Sequence, residues 1–322
     1  MINVAIVGYG NLGRACEYAI AQNKDMNLAG IFTRREPKSI KTRFINVKAD
    51  KFENLKNYKG KIDVCILCGG SKRDVRAQMP QIITDFNCID SFDTHADILE
   101  YIKQIEPSAQ KNKKLAIVSN GWDPGLFSVL RTYFAAVLPE GAYATFWGPG
   151  VSEGHSDAIR MIAGVRRAVQ YTIPKQDAVN RALKGESVSK FDAHLRKCFV
   201  AADMKDRGQI EKAIRTMPNY FEGCDVEINF ITEEEFAMGH GKLPHGGTVL
   251  ANGMTGGRNK AELKLDFKTE DNPGFTANCL VAAARACCKM KERGICGVIT
   301  PLDIAPIDLL PEKREEVIKK LL

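Results

Sequence analysis

Three glycines near the start of the chain have the spacing of a dinucleotide-binding loop. The loop follows an apolar strand pattern, opens a helical pattern and reads Gly8-Tyr9-Gly10-Asn11-Leu12-Gly13. In such loops the first glycine permits a tight turn, the second lets the backbone approach a pyrophosphate, and the third lets helix and strand pack closely. The phosphates then lie at the helix N-terminus, where unpaired N–H groups favour anions. A plain turn without a ligand is the alternative, but it does not need three glycines, which lose much backbone entropy on ordering.

The residues after the second apolar run discriminate between NAD and NADP. About twenty residues past the glycines, an NAD site places a carboxylate that accepts from the ribose 2′-hydroxyl. This chain has Thr33, Arg34 and Arg35 there, and Glu36 follows one position later. A carboxylate repels a 2′-phosphate, whereas a hydroxyl and two guanidinium groups bind it. We therefore expect NADP, with two solvated arginines on a surface turn as the alternative.

Glycine and acidic residues follow the next three apolar runs. Gly69, Gly70 and Ser71 come directly after the third run, where the backbone can pass close to a cofactor. Asp90 ends the fourth run and Asp123 follows the fifth. Ligands of parallel α/β sheets bind at the carboxyl ends of the strands. Each acid is therefore a candidate for a ligand-facing role or for a helix or turn cap, and the sequence leaves both open.

The elements that position these residues alternate between apolar runs and amphipathic stretches. The predicted strands are Val4–Val7, Leu28–Phe32, Val64–Cys68, Cys88–Ser91 and Leu115–Ser119, and the predicted helices are Leu12–Ala21, Lys72–Phe86 and Ala96–Gln110. Continuous apolar strands separated by helices indicate a parallel sheet covered on both faces. We expect an α/β, Rossmann-type dinucleotide-binding domain over residues 1–123.

The second part of the chain has longer strand patterns. The predicted strands are Ala142–Trp147, Ala168–Ile173, Lys197–Ala201, Asp225–Ile231 and Ala261–Phe267, with helices at Ser156–Val165, Gln176–Leu183, Ile210–Arg215 and Pro273–Arg293. This mixture predicts an α+β domain with a mostly antiparallel sheet over residues 124–297. Residues 298–322 end in a predicted helix and are a candidate to pack back on the first domain. The glycine-rich run Gly239–Gly257 lacks the lysine of a phosphate-binding loop, and we interpret it as a mobile loop near the substrate.

Length and composition exclude several classes of protein. A chain of 322 residues with 44% hydrophobic and 26% charged residues is typical of a folded protein of about two domains. The net charge of +7 is scattered, which fits a small anionic ligand at least as well as nucleic acid, and the sequence has no basic stripe with aromatic residues. No apolar stretch reaches the roughly 18 residues of a membrane span, and the first residues form a strand pattern without a charged leader. We expect a cytoplasmic protein.

The ten cysteines do not have the spacing of a metal site or a disulfide framework. Cys65 and Cys68 form the one C-x-x-C, but they lie in an apolar run, where cysteine packs as a small hydrophobic residue. Adjacent Cys287 and Cys288 lie in a helical pattern and receive the same interpretation.

Eight stretches, in the same order along the chain, resemble the meso-diaminopimelate D-dehydrogenase family. They are Val7–Arg14, Gly121-Trp122-Asp123-Pro124-Gly125, Phe146-Trp147-Gly148-Pro149-Gly150, Gly154-His155-Ser156-Asp157-Ala158, Val169-Gln170-Tyr171-Thr172, Arg215-Thr216-Met217-Pro218, Pro244-His245-Gly246-Gly247 and Asn272-Pro273. The first is shared with many dehydrogenases, whereas the two tryptophan motifs and Gly-His-Ser-Asp-Ala are far more specific. Together they span nearly the whole chain.

This resemblance implies reversible, NADP-dependent oxidative deamination of meso-2,6-diaminopimelate at its D-centre. The products are L-2-amino-6-oxopimelate and ammonia, and the reaction belongs to the lysine and peptidoglycan precursor pathway. The resemblance also implies a homodimer, with substrate binding and dimerisation in the second domain. The cofactor carries the hydride chemistry, so neither a metal nor a covalent lysine is required.

The resemblance also assigns residues to the reacting end of the substrate. Asp90 and Asp123 match the family's acceptors for the reacting ammonium, and main-chain N–H groups around Glu153, Gly154 and His155 match its binding of the reacting carboxylate. Either Asp123 or His155 takes a proton or positions the attacking water, and a water-mediated route is equally open. The family often has glutamine where this chain has Glu153, which places an extra negative charge beside a carboxylate.

The remaining assignments concern the carbon chain and the distal L-centre. Trp147 would pack over the chain, and Trp122 would shape the reacting end. The residues that fall where the family holds the distal carboxylate are Thr172, Arg196, His245 and Asn272. Arg196 is the strongest of these, because a guanidinium matches a carboxylate bidentately.

Two other functions are compatible with the same residues. One is another NADP-linked two-domain reductase that acts on a semialdehyde or an imine. The other is an NADP-binding redox sensor without turnover, which would not need paired acids at the sheet edge.

Overall fold

The described part of the chain divides into two compact units. A computed structural model describes residues 1–44, 47–189 and 191–322, and residues 71 and 72 by their backbone only. Unit 1 comprises Met1–Val129 and Pro273–Leu322, and unit 2 comprises Leu130–Asn272. No helix in the described residues is long and apolar enough to cross a membrane.

The strands and helices are numbered here in chain order. The strands are β1 (Ile2–Val7), β2 (Met26–Thr33), β3 (Ala49–Lys51), β4 (Val64–Leu67), β5 (Asn87–Asp90), β6 (Leu115–Ile117), β7 (Ala142–Trp147), β8 (Gly150–Val151), β9 (Val165–Pro174), β10 (His194–Ala202), β11 (Asp225–Phe230), β12 (His245–Thr255), β13 (Asn259–Thr269) and β14 (Gly297–Ile299). The helices are α1 (Asn11–Ala21), α2 (Arg76–Ile82), α3 (Ile98–Lys111), α4 (Leu126–Val137), α5 (Glu153–Arg160), α6 (Gln176–Leu183), α7 (Arg207–Arg215), α8 (Glu233–Gly239), α9 (Asn272–Glu292) and α10 (Arg314–Leu321), and a π-helical turn at Ser71–Val75 precedes α2.

Unit 1 contains the predicted parallel sheet. Its seven strands run in the order β14-β6-β5-β4-β1-β2-β3, and every neighbouring pair is parallel. Successive side chains of a strand point to opposite faces, and β1 shows this directly. Val4 and Ile6 belong to the hydrophobic core on one face, and Ala5 and Val7 to the core on the other. The Rossmann-type fold class is therefore confirmed.

The boundary between the units differs from the predicted one at two places. It falls at Val129, inside α4, rather than at residue 123. The long helix α9 belongs to unit 1, whereas the sequence analysis assigned it to the second domain. The physical reason is its apolar face: Leu280, Ala284 and Cys287 lie in the same core cluster as Val4. Residues 298–322 also belong to unit 1.

Unit 2 is built on two sheets in the described residues. One has the order β11-β10-β9-β8 and the other β13-β12-β7. The β10–β11 pair is parallel, and the other pairs are antiparallel, in agreement with a mostly antiparallel α+β unit.

The prediction of a mobile loop at Gly239–Gly257 was wrong. His245–Thr255 is β12, the central strand of the three-stranded sheet. Its glycines reflect close packing rather than mobility. A Cβ atom on Gly246 would lie 2.4 Å from the carbonyl oxygen of Phe267, and one on Gly253 would lie 3.2 Å from Cα of Gly141.

Candidate active site

The glycine loop of unit 1 has the geometry that its spacing predicts. Gly8 follows β1 with a φ of +94°, and its N–H donates to the carbonyl oxygen of Phe32 at 2.8 Å. A Cβ atom on Gly13 would lie 2.2 Å from the carbonyl oxygen of Gly8, whereas one on Gly10 would meet nothing within 4 Å. The third glycine therefore permits close packing of α1 on the loop, and the second leaves open space beside the backbone.

The N-terminus of α1 is suited to an anion. Gly10 is its N-cap, no side chain of the described residues caps it, and the first turn contains no acidic residue. Asn11 accepts from Nη2 of Arg14 at 2.7 Å through its side-chain oxygen, and Leu12 begins the half-buried side of the helix. Unpaired backbone N–H groups without an opposing carboxylate fit a pyrophosphate.

Two arginines follow β2 near this loop. Thr33 is buried at the end of β2, and its Oγ1 accepts from the backbone N–H of Arg35 at 3.1 Å. The Arg35 guanidinium donates to the carbonyl oxygen of Tyr9. Arg34 forms an ion pair with Asp74 at 2.7 Å, and its side chain is 59% exposed. Exposed ion pairs contribute little, so Arg34 can exchange this partner for a phosphate at low cost.

The segment after β4 contains Asp74, the ion-pair partner of Arg34. A Cβ atom on Gly69 would lie 2.6 Å from Cβ of Asp74, and the N–H of Gly70 donates to Asp74 Oδ2 at 3.2 Å. The side chain of Ser71, predicted to bind the cofactor, lies outside the described residues. The structure thus brings Gly70 and Arg34 to one acidic residue, which the sequence analysis did not single out.

Glu17 is a further residue of the loop region that sequence reasoning missed. It is fully buried on α1, and it accepts from the hydroxyl of Tyr9 and from the backbone N–H groups of Arg43 and Phe44, at 3.0 and 2.8 Å. Burial, followed by the Glu17 carboxylate, raises the pKa of the Tyr9 hydroxyl. A carboxylate on an apolar helix face was the available signal, because such a group is buried only with partners.

Asp90 lies inside unit 1 rather than on its surface. The residue is fully buried, Oδ2 accepts from the Tyr101 hydroxyl at 2.6 Å, and Oδ1 accepts from the N–H groups of Phe92 and Ser119, each at 2.9 Å. Burial raises its pKa. These bonds join the end of β5 to the segment after β6, which favours a positioning role for Asp90.

Asp123 lies in a tight turn that its glycines make possible. The N–H of Gly121 donates to the carbonyl oxygen of Pro124 at 2.8 Å, and Gly125 has a φ of +135°. A Cβ atom on Gly125 would lie 1.8 Å from the carbonyl oxygen of Gly121. Trp122 is buried, with its ring 5.2 Å from that of Phe127. The turn leaves Asp123 half-buried at its tip.

In unit 2, Thr172 and Arg196 are cross-strand partners of β9 and β10. Nη1 of Arg196 donates to Thr172 Oγ1 at 2.7 Å. The amide of Gln170 also donates to Thr172 Oγ1, at 3.3 Å. Nε of Arg196 is buried and has no hydrogen-bond partner in the described part of the chain. The guanidinium is therefore held by one nitrogen, and its Nε–Nη2 edge remains for a ligand.

The first turn of α5 contains the residues assigned to the reacting carboxylate. Nδ1 of His155 lies 2.9 Å from Ser152 Oγ, and the ring packs edge-on against Tyr220. Burial, followed by the charge of Arg196, lowers the pKa of His155 to about 4. The imidazole is thus neutral at pH 7.

The charge of Glu153 is compensated in unit 2. Its carboxylate forms an ion pair with Arg160 at 3.1 Å, and Arg160 also pairs with Asp157. Gly154 is exposed, with no atom within 4 Å of a Cβ position. Open backbone at a helix N-terminus is compatible with an anionic ligand.

A cavity of about 500 Å³ in unit 2 contains two of the assigned positions. Its walls are β7, parts of residues 182–188 and the start of β10, with Trp147, His194 and Arg196 in the lining. The backbone N–H of Trp147 donates to Nε2 of His194 at 2.9 Å. His194 was missed by the sequence analysis, which predicted this strand only from Lys197. It lies two residues before Arg196 on β10, so both side chains are on one face of the strand.

His245 and Asn272 lie at the ends of elements in unit 2. His245 begins β12, its Nδ1 accepts from the N–H of Gly246 at 2.8 Å, and burial lowers its pKa. A Cβ atom on Gly150 would lie 2.4 Å from Cα of His245, so β8 approaches it closely. Asn272 is half-buried at the start of α9 and donates its N–H to the carbonyl oxygen of Leu243 at 2.9 Å.

Known proteins resemble this chain in sequence over nearly its whole length. The diaminopimelic acid dehydrogenase C-terminal domain family matches residues 121–271. The meso-diaminopimelate D-dehydrogenase of Ureibacillus thermosphaericus is 47% identical over 99% of this chain and 98% of its own length. This chain belongs to the meso-diaminopimelate D-dehydrogenase family. It is therefore an amino-acid dehydrogenase.

Solved structures of similar proteins have the same fold. The Corynebacterium glutamicum DAP dehydrogenase, in complex with DAP, matches with a TM-score of 0.93 and 43% identity, over 100% of this chain and 99% of that one. An engineered D-amino acid dehydrogenase bound to NADP⁺ matches with a TM-score of 0.88 and 42% identity, also over 100% of this chain and 99% of that one.

Proposed function

We propose that this member of the diaminopimelate dehydrogenase family catalyses the NADP-dependent, reversible oxidative deamination of meso-2,6-diaminopimelate at its D-centre, giving L-2-amino-6-oxopimelate and ammonia. The observation that carries the proposal is the state of Arg196. Thr172 holds its Nη1, and its buried Nε has no partner among the described residues. A guanidinium fixed in this way presents a two-nitrogen edge, and a carboxylate matches that edge bidentately.

The substrate has an ammonium and a carboxylate at each end, so its binding needs charges of both signs. We assign the distal carboxylate to Arg196, with Thr172, His245 and Asn272 as further distal residues. Support for Thr172 comes from its bond to Arg196 at 2.7 Å. Trp147, which lines the same cavity as Arg196, packs over the carbon chain and excludes water.

The reacting end is assigned to residues that differ in charge and burial. Asp123 is half-buried at the tip of its turn and is the acceptor for the reacting ammonium. Neutral His155 and the open backbone of Glu153 and Gly154 are assigned to the reacting carboxylate and to proton or water positioning. Asp90 supports this end by holding Ser119 through its 2.9 Å bond.

NADP is the proposed cofactor, and it accepts the hydride from the D-centre when bound. The residues of unit 1 fit this group: the open side of Gly10 admits the pyrophosphate, and exposed Arg34 and Arg35 bind the 2′-phosphate. Gly69 and Gly70 let the backbone after β4 pass close to it. The relative bound to NADP⁺ supports the choice.

A homodimer is the proposed assembly. Unit 2 exposes large apolar side chains that a second copy would cover, among them Tyr133 at 64%, Val137 at 46% and Tyr143 at 43%. Exposed apolar patches of this kind mark interaction sites. Light scattering at micromolar concentration, with a mass near twice 35.6 kDa expected, tests the assembly.

The test of the reaction is an absorbance assay at 340 nm with NADP⁺. The purified protein receives meso-, LL- or DD-diaminopimelate in separate reactions, and then D-lysine. Reduction with the meso isomer, and little with LL-diaminopimelate or D-lysine, is expected, because both ends of the substrate must be recognised. NADP⁺ binding without reduction by any of them would leave the dinucleotide unit in place and refute the proposed substrate. A semialdehyde or imine reductase, or a sensor, would then be tested.

A further inference from the structure

His194 is a buried histidine to which the reaction described above gives no role. It begins β10 and is 4% exposed. Its Nε2 accepts the backbone N–H of Trp147 at 2.9 Å, and its ring centroid lies 5.8 Å from that of Trp147. The bond joins the end of β7 to the start of β10. It therefore fixes the position of Trp147 relative to Arg196, two residues further along β10.

The hydrogen bond also determines where the proton of this ring lies. Burial, followed by the charge of Arg196, lowers the pKa of His194 to about 4, so the ring is neutral at pH 7. A neutral imidazole has one donor and one acceptor nitrogen. Because Nε2 accepts from Trp147, Nδ1 must carry the proton.

This Nδ1–H has no acceptor among the residues that the structure describes. Within residues 1–44, 47–189 and 191–322, the ring of His194 makes no hydrogen bond besides the one from Trp147. His194 and Arg196 line the same cavity of about 500 Å³ and lie on the same face of β10, because side chains alternate along a strand. Nε of Arg196 is also a donor, and it too lacks a partner in the described part of the chain.

Two donors without partners, one charged and one neutral, on one cavity wall favour a ligand that accepts at both. An ammonium has no acceptor for an N–H group, whereas a carboxylate has acceptor sites for both donors. We propose that His194 donates its Nδ1–H to the substrate carboxylate held by Arg196 and thereby contributes to selection of a substrate with a distal carboxylate. This inference rests on the proposed function and adds a residue to that site.

The test compares His194→Phe with His194→Gln. Phenylalanine retains ring volume but has neither a donor nor an acceptor, whereas glutamine has both. His95→Phe is the matched control, because His95 is exposed and lies in unit 1. For His194→Phe we expect the KM for meso-diaminopimelate to rise about tenfold or more, as for loss of a hydrogen bond to a charged group. The KM for NADP⁺ should change by less than about threefold, and His194→Gln should recover most of the loss.

A spectroscopic measurement separates substrate contact from a merely structural role. In protein labelled with ¹⁵N-histidine, the Nδ1–H resonance of His194 is assigned as the one that is absent from the spectrum of His194→Gln. This resonance is then followed as meso-diaminopimelate is added together with NADPH. We expect it to move downfield, because a carboxylate becomes its acceptor. Melting curves show whether each variant is folded.

The outcomes separate this inference from the proposed function. Wild-type protein that does not oxidise meso-diaminopimelate overturns the proposed function and this inference with it. Two results overturn this inference alone, provided that the wild-type protein oxidises meso-diaminopimelate. One is an unchanged KM for meso-diaminopimelate in His194→Phe, and the other is an Nδ1–H resonance that does not respond to the substrate. A lower kcat with an unchanged KM in His194→Phe would also overturn it, since that pattern means that His194 acts only by positioning Trp147.

Discussion

Alanine at Gly10 should weaken cofactor binding with little effect on stability, whereas alanine at Gly13 should lower stability. Gly10 has a φ of −90° and a ψ of −150°, a backbone conformation that alanine adopts, and a Cβ atom there would meet nothing within 4 Å. The free energy of unfolding of Gly10→Ala should therefore stay within about 1 kcal/mol of wild type. NADP⁺ should bind at least about tenfold more weakly, which is about 1.4 kcal/mol, because the methyl group occupies the space of the pyrophosphate.

The expectation for Gly13→Ala follows from the distance of 2.2 Å between its Cβ position and the carbonyl oxygen of Gly8. Ordinary contacts begin at 3.4 Å, so α1 and the loop must separate by about 1.2 Å. Overpacking of this kind costs about 1–3 kcal/mol. For a domain of about 150–250 residues this lowers Tm by roughly 2–12 °C, measured without cofactor.

Thermal melts and calorimetric titration with NADP⁺ measure both effects on the same preparations. Gly60→Ala in unit 1 is not a suitable control, because its φ of +81° would strain the alanine. Gly208→Ala is suitable, since a Cβ atom there meets nothing and Gly208 lies in helix α7 of unit 2. Wild-type affinity for NADP⁺ in Gly10→Ala, or a wild-type Tm in Gly13→Ala, would refute the roles derived for these glycines.

Three further outcomes are expected. Replacing Arg34 and Arg35 together by alanine should weaken NADP⁺ binding far more than NAD⁺ binding in paired titrations, and an equal loss for both would contradict a 2′-phosphate site. Asp123→Asn should lower kcat by about a hundredfold or more, the scale of a lost acid–base group, while the Kd for NADP⁺ stays near wild type; wild-type turnover would remove Asp123 from the reaction. The Arg285 hydrogen bond lowers the pKa of Asp25 below its usual 3.8, so this pair stabilises the fold above about pH 4 and the contribution is lost as pH falls through the folded pKa. The Tm difference between wild type and Asp25→Asn should therefore shrink on acidification below about pH 4, and a difference independent of pH would contradict the assignment.

The hydrophobic pattern sufficed for the buried strands of unit 1 and failed for the partly buried strands at the two edges of its sheet. The strand predicted at Val4–Val7 is observed as Ile2–Val7, because four fully buried residues in succession give a strong signal. β3 and β14 were missed, whereas β6, with the same three residues, was predicted. All residues of β6 are buried, but β3 has no buried residue and β14 has one. Their place at the two edges of the sheet depends on pairing with distant strands.

Residues of the candidate site were predictable where their role depends on local geometry and were missed where it depends on distant strands. The loop Gly8–Gly13 was recognisable because each glycine has a local geometric reason. His194 could not be found from local sequence, because its role depends on an N–H group 47 residues away. The glycines of β12 were misinterpreted for a related reason: the carbonyl of Phe267 that excludes a side chain at Gly246 belongs to another strand.

The discontinuity of unit 1 has a consequence for the order in which the chain folds during synthesis. Unit 2 is one continuous segment, Leu130–Asn272, whereas unit 1 needs Pro273–Leu322 as well as Met1–Val129. β14, at the edge of its sheet, and the apolar face of α9 emerge from the ribosome only after unit 2 is complete. Until then, one face of the β1 sheet lacks the part of its cover that α9 supplies, and this part is exposed to aggregation or chaperones. Residues 1–129 therefore belong to a unit that is completed only after unit 2, and a premature stop codon before Pro273 would leave that unit unable to close its core.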